Sequence, residues 1–336
     1  MKKICIIAAI LLVAGIALCL LGATMDGFRG EELVKSKLTD KTIEIHEDFS
    51  NIQIDTDTTD VVFSLSEDGS CRILCRETAQ QFHTAEVKEG MLSLKQQDAR
   101  KWYHHIGFHF ETPSVEIQLS KAAFEDLTIN GSTGDVKIPG DLSFVNAQIH
   151  ASTGMVDVYA QVEKNLTVAV NTGNVFVFGI RCENMDLKAS TGTIRVRDIN
   201  CANLTTKTST GDQRWENVQA TGAVSVTCST GDLYMTHVNC QNLSAESDTG
   251  KKTLEYVVAN GDVWLEASTG DIHLVNFDGG TIKITTDTGD VTGTILSEKI
   301  FFTETDTGRV EVPCCTSGGS CEIITDTGDI TIQIVQ

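Results

Sequence analysis

The chain has 336 residues with 28 glycines and only 3 prolines, and its abundance of strand-forming Val, Ile and Thr argues against an α-rich enzyme. Its 46 acidic residues outnumber 26 lysines and arginines, which gives a formal net charge of −20. That charge repels the phosphate backbone and so excludes non-specific binding of nucleic acid. Neutral ligands, cations, basic surfaces and other proteins remain as partners.

Residues 1–25 are predicted to anchor the chain in a bacterial cell membrane. Lys2 and Lys3 precede an uncharged run that ends at Thr24, and a run of about 20 residues is long enough to cross the hydrocarbon core. Because flanking lysines favour the cytoplasmic side, we expect a single-pass protein with its C-terminal ectodomain outside the cytoplasm. A cleaved signal peptide is the alternative, although the apolar run is long for one. Residues 26–41 are predicted to be a polar spacer.

Residues 42–125 are predicted to form a β-rich N-terminal cap, because the repeats that follow need a cover for the open face of their first coil. Apolar and polar residues alternate in several short segments, for example around Ile52 and Ile54, as they do in half-buried strands. Glu89-Gly90, between two such segments, predicts a hairpin.

Residues 102–110 of this cap contain three histidines, His104, His105 and His109, beside several aromatic residues. Histidines at such density could bind a metal. However, no regular spacing places all three on one side of a strand. We favour an aromatic loop or edge strand that packs on the cap or lies near the membrane interface.

From residue 126 to the end, the chain repeats one tetrapeptide, in which a small polar residue is followed by Thr-Gly and usually by Asp. Its eleven glycines are spaced by 19 or 20 residues and are Gly134, Gly154, Gly173, Gly192, Gly211, Gly231, Gly250, Gly270, Gly289, Gly308 and Gly328. A fixed period of this length indicates a repeat architecture. Residues 126–336 are therefore predicted to form an all-β parallel β-solenoid of eleven coils.

Alignment on the motif glycine predicts which residues face the interior of the solenoid. Apolar residues recur seven and five residues before the glycine, and two and four residues after it, as in Val175 and Val177. This pattern predicts two strands bent at the Thr-Gly. A third inward column is expected seven residues after the glycine, from Ile180 to Leu296, followed by a small residue such as Cys201.

Two corners are predicted in each coil. The motif glycine suits a type II turn, which requires a positive φ. Eleven residues after that glycine, Asn or Gly recurs, as in Asn165, Asn184 and Gly222. Because both residues tolerate the left-handed conformation, we expect the second corner there.

The chain stops inside its last coil, at residues 332–336. An open strand edge is an association hazard that proteins usually cover. We therefore expect this end to pair with a second copy of the chain or with another partner.

Eleven cysteines raise the question of disulfides. Three of them, Cys182, Cys201 and Cys240, are expected to be buried thiols in the small inward column, although a bridge between Cys182 and Cys201 stays open. The better candidates for a bridge are Cys71 with Cys75, and a pair within Cys314, Cys315 and Cys321.

Acidic side chains recur at the Thr-Gly turns. Like charges stacked at the coil spacing repel one another, so calcium could bind among them. The candidate calcium ligands are Asp271, Asp287, Asp290, Asp306, Asp326 and Asp329. A solvated acidic ridge without a cofactor is the default expectation. The Asp-Thr-Gly tripeptide also marks aspartic proteases, but those need two aspartates that share a proton, and here the tripeptide is a repeated turn.

Three segments carry a family resemblance: residues 42–45, residues 52–62, and the run from Phe124 to Val136, which ends in Ser-Thr-Gly-Asp-Val. They resemble the bacterial putative-adhesin family, domain-of-unknown-function family 4097, and the resemblance covers residues 42 to the end. It implies a β-strand-repeat ectodomain on a bacterial envelope protein with an N-terminal membrane helix. It carries over no catalytic residues.

The function expected from these features is that of a membrane-anchored surface or envelope protein, not an enzyme. Its solenoid would serve as an adhesin or interaction scaffold for a cell-envelope or host-surface protein or glycan. An envelope-stress or signalling accessory that acts on a membrane partner is the first alternative. A carbohydrate-active β-helix enzyme is the second, but it needs acidic and basic residues that converge in a groove, and the repeats show no such cluster.

Overall fold

The computed structural model describes residues 13–15, 38–99 and 113–335. The anchor predicted for residues 1–25 falls almost entirely outside this range, as do His104, His105 and His109. Within the described residues, no helix has the length and apolar character needed to cross a membrane.

The described residues form 26 strands. The first thirteen are β1 (Thr39–Ile45), β2 (Asn51–Thr58), β3 (Asp60–Leu65), β4 (Cys71–Glu77), β5 (Gln81–Lys88), β6 (Met91–Asp98), β7 (Ser114–Leu119), β8 (Ala123–Thr133), β9 (Val136–Ile138), β10 (Ser143–Thr153), β11 (Val156–Val158), β12 (Gln161–Thr172) and β13 (Val175–Phe178). The others are β14 (Arg181–Thr191), β15 (Ile194–Thr210), β16 (Gln213–Ala220), β17 (Ala223–Thr230), β18 (Leu233–Cys240), β19 (Asn242–Thr249), β20 (Lys252–Thr269), β21 (Ile272–Thr288), β22 (Val291–Ile295), β23 (Lys299–Thr307), β24 (Val310–Glu311), β25 (Gly319–Thr327) and β26 (Ile330–Ile334).

The predicted parallel β-solenoid is confirmed. Strands that precede the motif glycine stack into one sheet, in which β8, β10, β12 and β14 pair in parallel. Strands that follow the glycine stack into a second sheet, in which β9, β11 and β13 pair in parallel. Long strands such as β15 contribute to both sheets, because they continue around the corner between them.

The aliphatic core lies between the two sheets. The predicted inward columns are buried except in the coil of Gly308, where Val310 is 43% exposed, and the third column is 0% exposed from Ile180 to Phe277. Leu296 departs from the prediction at 43% exposure, because Ile295 takes the inward position in that coil at 1%. Each coil buries its apolar residues against its neighbours, so stability comes from stacking.

The motif glycines are required by the close approach of successive turns. Ten of the eleven have φ between 135° and 155°, which confirms the predicted positive φ, although the backbone is more extended than in a type II turn, where φ is about 80°. A Cβ at Gly211 would lie 2.1 Å from the carbonyl oxygen of Gly192. Only glycine permits this approach, and it recurs from coil to coil.

The left-handed backbone predicted for the second corner was wrong. Positive φ occurs six residues after the motif glycine, with values from 50° to 56° at Asp198, Asn217, His237, Tyr256 and Asn276. The inward alternation does shift by one residue at the predicted asparagines, since Cys201 and Leu204 are both buried and Asn203 between them is exposed. The side chains of these asparagines form a ladder. Asn184 Nδ2 donates to Asn165 Oδ1 at 3.1 Å, and Asn203 Nδ2 donates to Asn184 Oδ1 at 3.0 Å. Asn therefore recurs there because its amide links one coil to the next.

Two further pairs of parallel strands extend the stack at the N-terminal end. β2 pairs with β8 and β3 with β9, which places Thr59 at the position of the motif glycine. β6 and β7 pair in parallel with β2 and β3 on their other side. Antiparallel strands complete this end, since β5 pairs with β6 while β4 lies between β7 and β1. The hairpin predicted at Glu89-Gly90 is confirmed, and both residues have positive φ.

The last coil does not form the C-terminal end of the stack, which corrects the expectation for residues 332–336. β25 lies between β21 and β23, and β26 lies between β22 and β24. The chain thus skips one coil position after β22, builds β23 and β24, and returns to fill the gap. The outer strands are β23 and β24, where Phe302 is 59% and Val310 is 43% exposed. The association hazard belongs to these two strands.

All nine cysteines in the described part of the chain are free thiols. The candidate bridges between Cys71 and Cys75, and among Cys314, Cys315 and Cys321, are not formed. Cys201 and Cys240 are buried as predicted, whereas Cys182 is only partly buried. Burial raises the pKa of the Cys240 thiol to about 12. A thiol with so high a pKa is a poor nucleophile at neutral pH.

Candidate interaction surface

The acidic column at the turns is a ladder of hydrogen bonds to the backbone. The aspartate that follows the motif glycine accepts from the amide of the equivalent residue in the next coil. Asp232 Oδ1 accepts from the amide of Lys251 at 2.8 Å, and Asp271 Oδ1 accepts from that of Asp290 at 3.1 Å. These carboxylates satisfy amides that the turn leaves without a strand partner. This bonding gives a structural reason for Asp at this position.

The six candidate calcium ligands are all exposed: Asp271, Asp287, Asp290, Asp306, Asp326 and Asp329. The three that follow a glycine each use one oxygen in the backbone ladder. In the described parts of the chain, the one set of three ligand side chains that converges within 4.8 Å lies elsewhere, at Cys75, Glu77 and His83. The ridge thus presents solvated carboxylates, whereas a calcium site surrounds the ion with six to eight oxygens.

A different surface concentrates arginine and aromatic side chains on the outer face of the second sheet. We call it the arginine–aromatic face, and it consists of Tyr159, Phe176, Phe178, Arg195, Arg197, Arg214 and Tyr234. The strand register places Arg195 between Phe176 and Arg214 in successive coils. The residue between Arg195 and Arg197 on β15, Val196, is 0% exposed, so alternation along the strand turns both arginines outward.

Each arginine of this face lies over an aromatic ring. The distances from guanidinium to ring centroid are 5.6 Å for Arg195 over Phe176, 5.1 Å for Arg197 over Phe178 and 4.9 Å for Arg214 over Tyr234. Cation–π contacts at these distances hold the planar guanidinium groups in place. Stacking itself occupies none of their N–H donors, because a ring face accepts none of the in-plane hydrogen bonds.

The arginine–aromatic face carries three arginines in a chain whose net charge is −20, and Glu216 lies opposite Arg197 on β16. Arg195 and Arg214 are direct neighbours across β15 and β16, and like charges in that position destabilise a sheet. Arg197 and Arg214 pair with Asp198 at 3.6 Å and with Asp212 at 3.2 Å, but all four side chains are at least 37% exposed. Such exposed ion pairs contribute little, so an anionic ligand would relieve the repulsion.

Several buried polar side chains were missed by the reading of the sequence. Gln213 and Lys252 are 0% and 1% exposed and lie in the inward column two residues after the glycine. Gln213 Nε2 donates to Thr208 Oγ1 at 3.1 Å and to the carbonyl oxygen of Thr227 at 2.9 Å. The signal was available in the alignment, since other coils carry Val or Ile at this position.

Together, the stacked coils and the exposed side-chain columns define a parallel β-solenoid with a flat interaction surface. The chain belongs to the Toastrack DUF4097 family, which matches residues 49–245, more than half of its length. The recognition from sequence is thereby confirmed. No curated protein matches the chain.

Solved structures of similar proteins share little sequence with this chain. A putative adhesin from Parabacteroides distasonis ATCC 8503 is 15% identical over 90% of this chain and 98% of its own, with a TM-score of 0.43. A putative lipid binding protein from the same strain is 12% identical over 89% and 97%, with a TM-score of 0.41. A putative adhesin from Bacteroides fragilis NCTC 9343 is 13% identical over 90% and 98%, with a TM-score of 0.34.

Proposed function

We propose that the chain is a membrane-anchored bacterial surface protein whose solenoid acts as an interaction scaffold, and that its arginine–aromatic face binds an anionic glycan. The observation that carries the proposal is the row of Arg195, Arg197 and Arg214 held over aromatic rings on an exposed sheet. The scaffold is a binding protein and not an enzyme in this proposal.

The chemistry of the face suits a carboxylate-bearing polysaccharide. Guanidinium groups bind carboxylates through two parallel hydrogen bonds, and arginine stacked on a ring loses little freedom when it does so. The rings of Tyr159 and Phe178 stack on each other at a centroid distance of 5.5 Å, and they add apolar surface beside the arginines. Successive coils repeat at about 4.8 Å, so a polymer lying along the solenoid axis meets one coil after another.

The binding test uses labelled polygalacturonate as the anionic probe and labelled dextran as the neutral one. We expect the wild-type chain to bind polygalacturonate, with an affinity that falls as salt is raised, and not to bind dextran. The double variant Arg195→Gln/Arg214→Gln should bind at least tenfold more weakly, because two charge-assisted contacts are lost. Fluorescence anisotropy at two salt concentrations measures both effects.

The matched control is Lys188→Gln/Lys207→Gln. These two lysines are also neighbours across strands, on β14 and β15, but they lie on the first sheet, away from the aromatic rings. The control removes the same charge and should leave binding unchanged. Equal loss in both double variants would mean non-specific attraction, and no binding by the wild type would reject the assigned ligand.

Anchoring is tested separately from binding. The uncharged run after Lys2 and Lys3 supports a span with the ectodomain outside. The full chain should sediment with membranes after a carbonate wash, and protease added to intact cells should remove the solenoid. Release of the full chain into the medium would favour the cleaved signal peptide.

A further inference from the structure

A buried cluster of three different side chains lies in the N-terminal part of the fold, far along the chain from the arginine–aromatic face. Cys75 and Glu77 are two residues apart on β4 and therefore point to the same side of the strand. His83 on β5 meets them across the turn that joins the two strands. The three residues are 2%, 4% and 0% exposed.

The ligand atoms of the cluster converge. The Cys75 sulfur, a Glu77 carboxylate oxygen and a His83 ring nitrogen all lie within 4.8 Å of one another. His83 Nδ1 is 3.0 Å from Glu77 Oε2, and its Nε2 is 3.2 Å from the Thr59 hydroxyl. Thr59 stands at the position of the motif glycine in the outermost of the regular turns. The cluster thus connects β4 and β5 to the solenoid proper.

Hydrogen bonds and an ion pair explain only part of this cluster. Glu77 Oε2 accepts from the backbone amide of His83 at 2.6 Å, and Lys41 Nζ lies 3.5 Å from Glu77 Oε1. The Cys75 thiol makes no hydrogen bond with any described residue, although it is buried beside the carboxylate.

The charge balance of the cluster can accommodate a cation. Lys41 already neutralises Glu77 from a side chain that is 47% exposed, and it can swing into solvent when another cation arrives.

We propose that Cys75, Glu77 and His83 form a zinc-binding site that fastens the β4–β5 strands to the first turn of the solenoid. Sulfur, nitrogen and carboxylate oxygen are the ligand types that zinc takes, and three protein ligands leave a fourth position open. One thiolate and one carboxylate balance the charge of Zn²⁺ once Lys41 has moved away. Binding releases one proton, from the thiol to the solvent.

The experiment uses the full chain, stripped of metal with EDTA, and Co²⁺ as a spectroscopic probe that Zn²⁺ then displaces. We expect one Co²⁺ per chain with a thiolate-to-cobalt charge-transfer band in the near ultraviolet. Cys75→Ser should lose that band and bind at least tenfold more weakly, whereas Cys71→Ser should keep both. Cys71 is a matched control, because it is a buried thiol on the same strand, 6% exposed.

A second variant keeps the test decisive if Cys75→Ser fails to fold. Lys41→Met removes the competing cation at a half-exposed position and should tighten Zn²⁺ binding about tenfold, while Lys88→Met, at an exposed position on β5, should not. Zn²⁺ should also raise the melting temperature of the wild type. The proposal is overturned by a folded wild-type chain that binds no metal, by a thiolate band that survives in Cys75→Ser, or by zinc binding that Lys41→Met leaves unchanged.

Discussion

Lys252 is the most informative single residue for the energetics of the core. It lies on β20 in the inward column, with Leu233 and Ile272 as its neighbours in the adjacent coils. It is 1% exposed, and its ammonium group donates to the hydroxyl of Ser247. Replacement by methionine keeps the length of the side chain and removes its charge.

The expected gain follows from the pKa of the amine. Burial lowers the pKa of Lys252 from 10.5 to about 8, so the charged form costs about 3 kcal/mol in the folded state, at 1.36 kcal/mol per pKa unit. Loss of the hydrogen bond to Ser247 offsets about 1 kcal/mol of this. Lys252→Met should therefore stabilise the chain by about 2 kcal/mol at pH 7.

The stability of the wild type should depend on pH in a direction that follows from the lowered pKa of Lys252. The unfolded state binds more protons than the folded state between pH 8 and 10.5, so the stability of the wild type rises across this window. The penalty is complete below pH 8 and disappears above pH 10.5. The advantage of Lys252→Met over the wild type should accordingly shrink by about 2 kcal/mol between pH 7 and pH 10.

Urea unfolding followed by circular dichroism at the two pH values measures this difference. Lys251→Met is the matched control, because Lys251 is the preceding residue with a side chain that is 50% exposed, and it should change stability little at either pH. Other groups that titrate near pH 10 contribute equally to wild type and variants. A Lys252→Met chain that is less stable than the wild type at pH 7, or an advantage that persists at pH 10, would refute the reasoning.

Three further predictions concern the turns and the C-terminal end. Gly211→Ala should lower the free energy of unfolding in urea by more than about 3 kcal/mol, because the new Cβ would meet a backbone carbonyl. Gly179→Ala should lower it by only about 1 to 2 kcal/mol, because nothing lies within 4 Å of a Cβ at that position. Asp290→Asn should keep the hydrogen bond to the amide of Asp329, and its melting temperature should match or exceed that of the wild type. Asp290→Ala loses that bond and should be about 1 kcal/mol less stable. If millimolar calcium stabilised the wild type but not Asp290→Asn, the result would instead indicate an ion site. Amide hydrogen exchange should be slower in β25 than in β23, because β25 lies between two strands although it is nearer the chain terminus. Slower exchange in β23 would contradict this stacking order.

Periodicity predicts most of the architecture because a solenoid repeats the same local contacts. The inward columns and the positive φ at the motif glycines follow from side-chain alternation and from the steric freedom of glycine. The left-handed conformation was assigned to the wrong residues because Asn has two uses. At Asn184 it forms an amide ladder within a strand, whereas at Asn217 it adopts a left-handed backbone. A composition rule for Asn does not distinguish these roles.

The arginine–aromatic face and the buried cluster were harder to predict, because each depends on how distant parts of the chain are brought together. The arginine–aromatic face combines positions on five coils, and its interpretation depends on the register that brings Arg195 beside Arg214. The Cys75, Glu77 and His83 cluster lies outside the repeats, where no period assigns side chains to a face. Only the turn between β4 and β5 brings His83 back to Glu77.

The inverted order of the last two coils shows where a repeat pattern stops being informative. Every coil has nearly the same backbone, so the period alone does not specify which coil stacks on which. The stacking order therefore depends on the inward side chains. On β25 these are Cys321 and Ile323, which are 1% and 0% exposed. Their counterparts on β23, Phe301 and Thr303, are only half-buried at the outer edge. Placing β25 inside buries the more aliphatic pair on both sides and leaves the threonine near water, which is the arrangement that apolar burial favours.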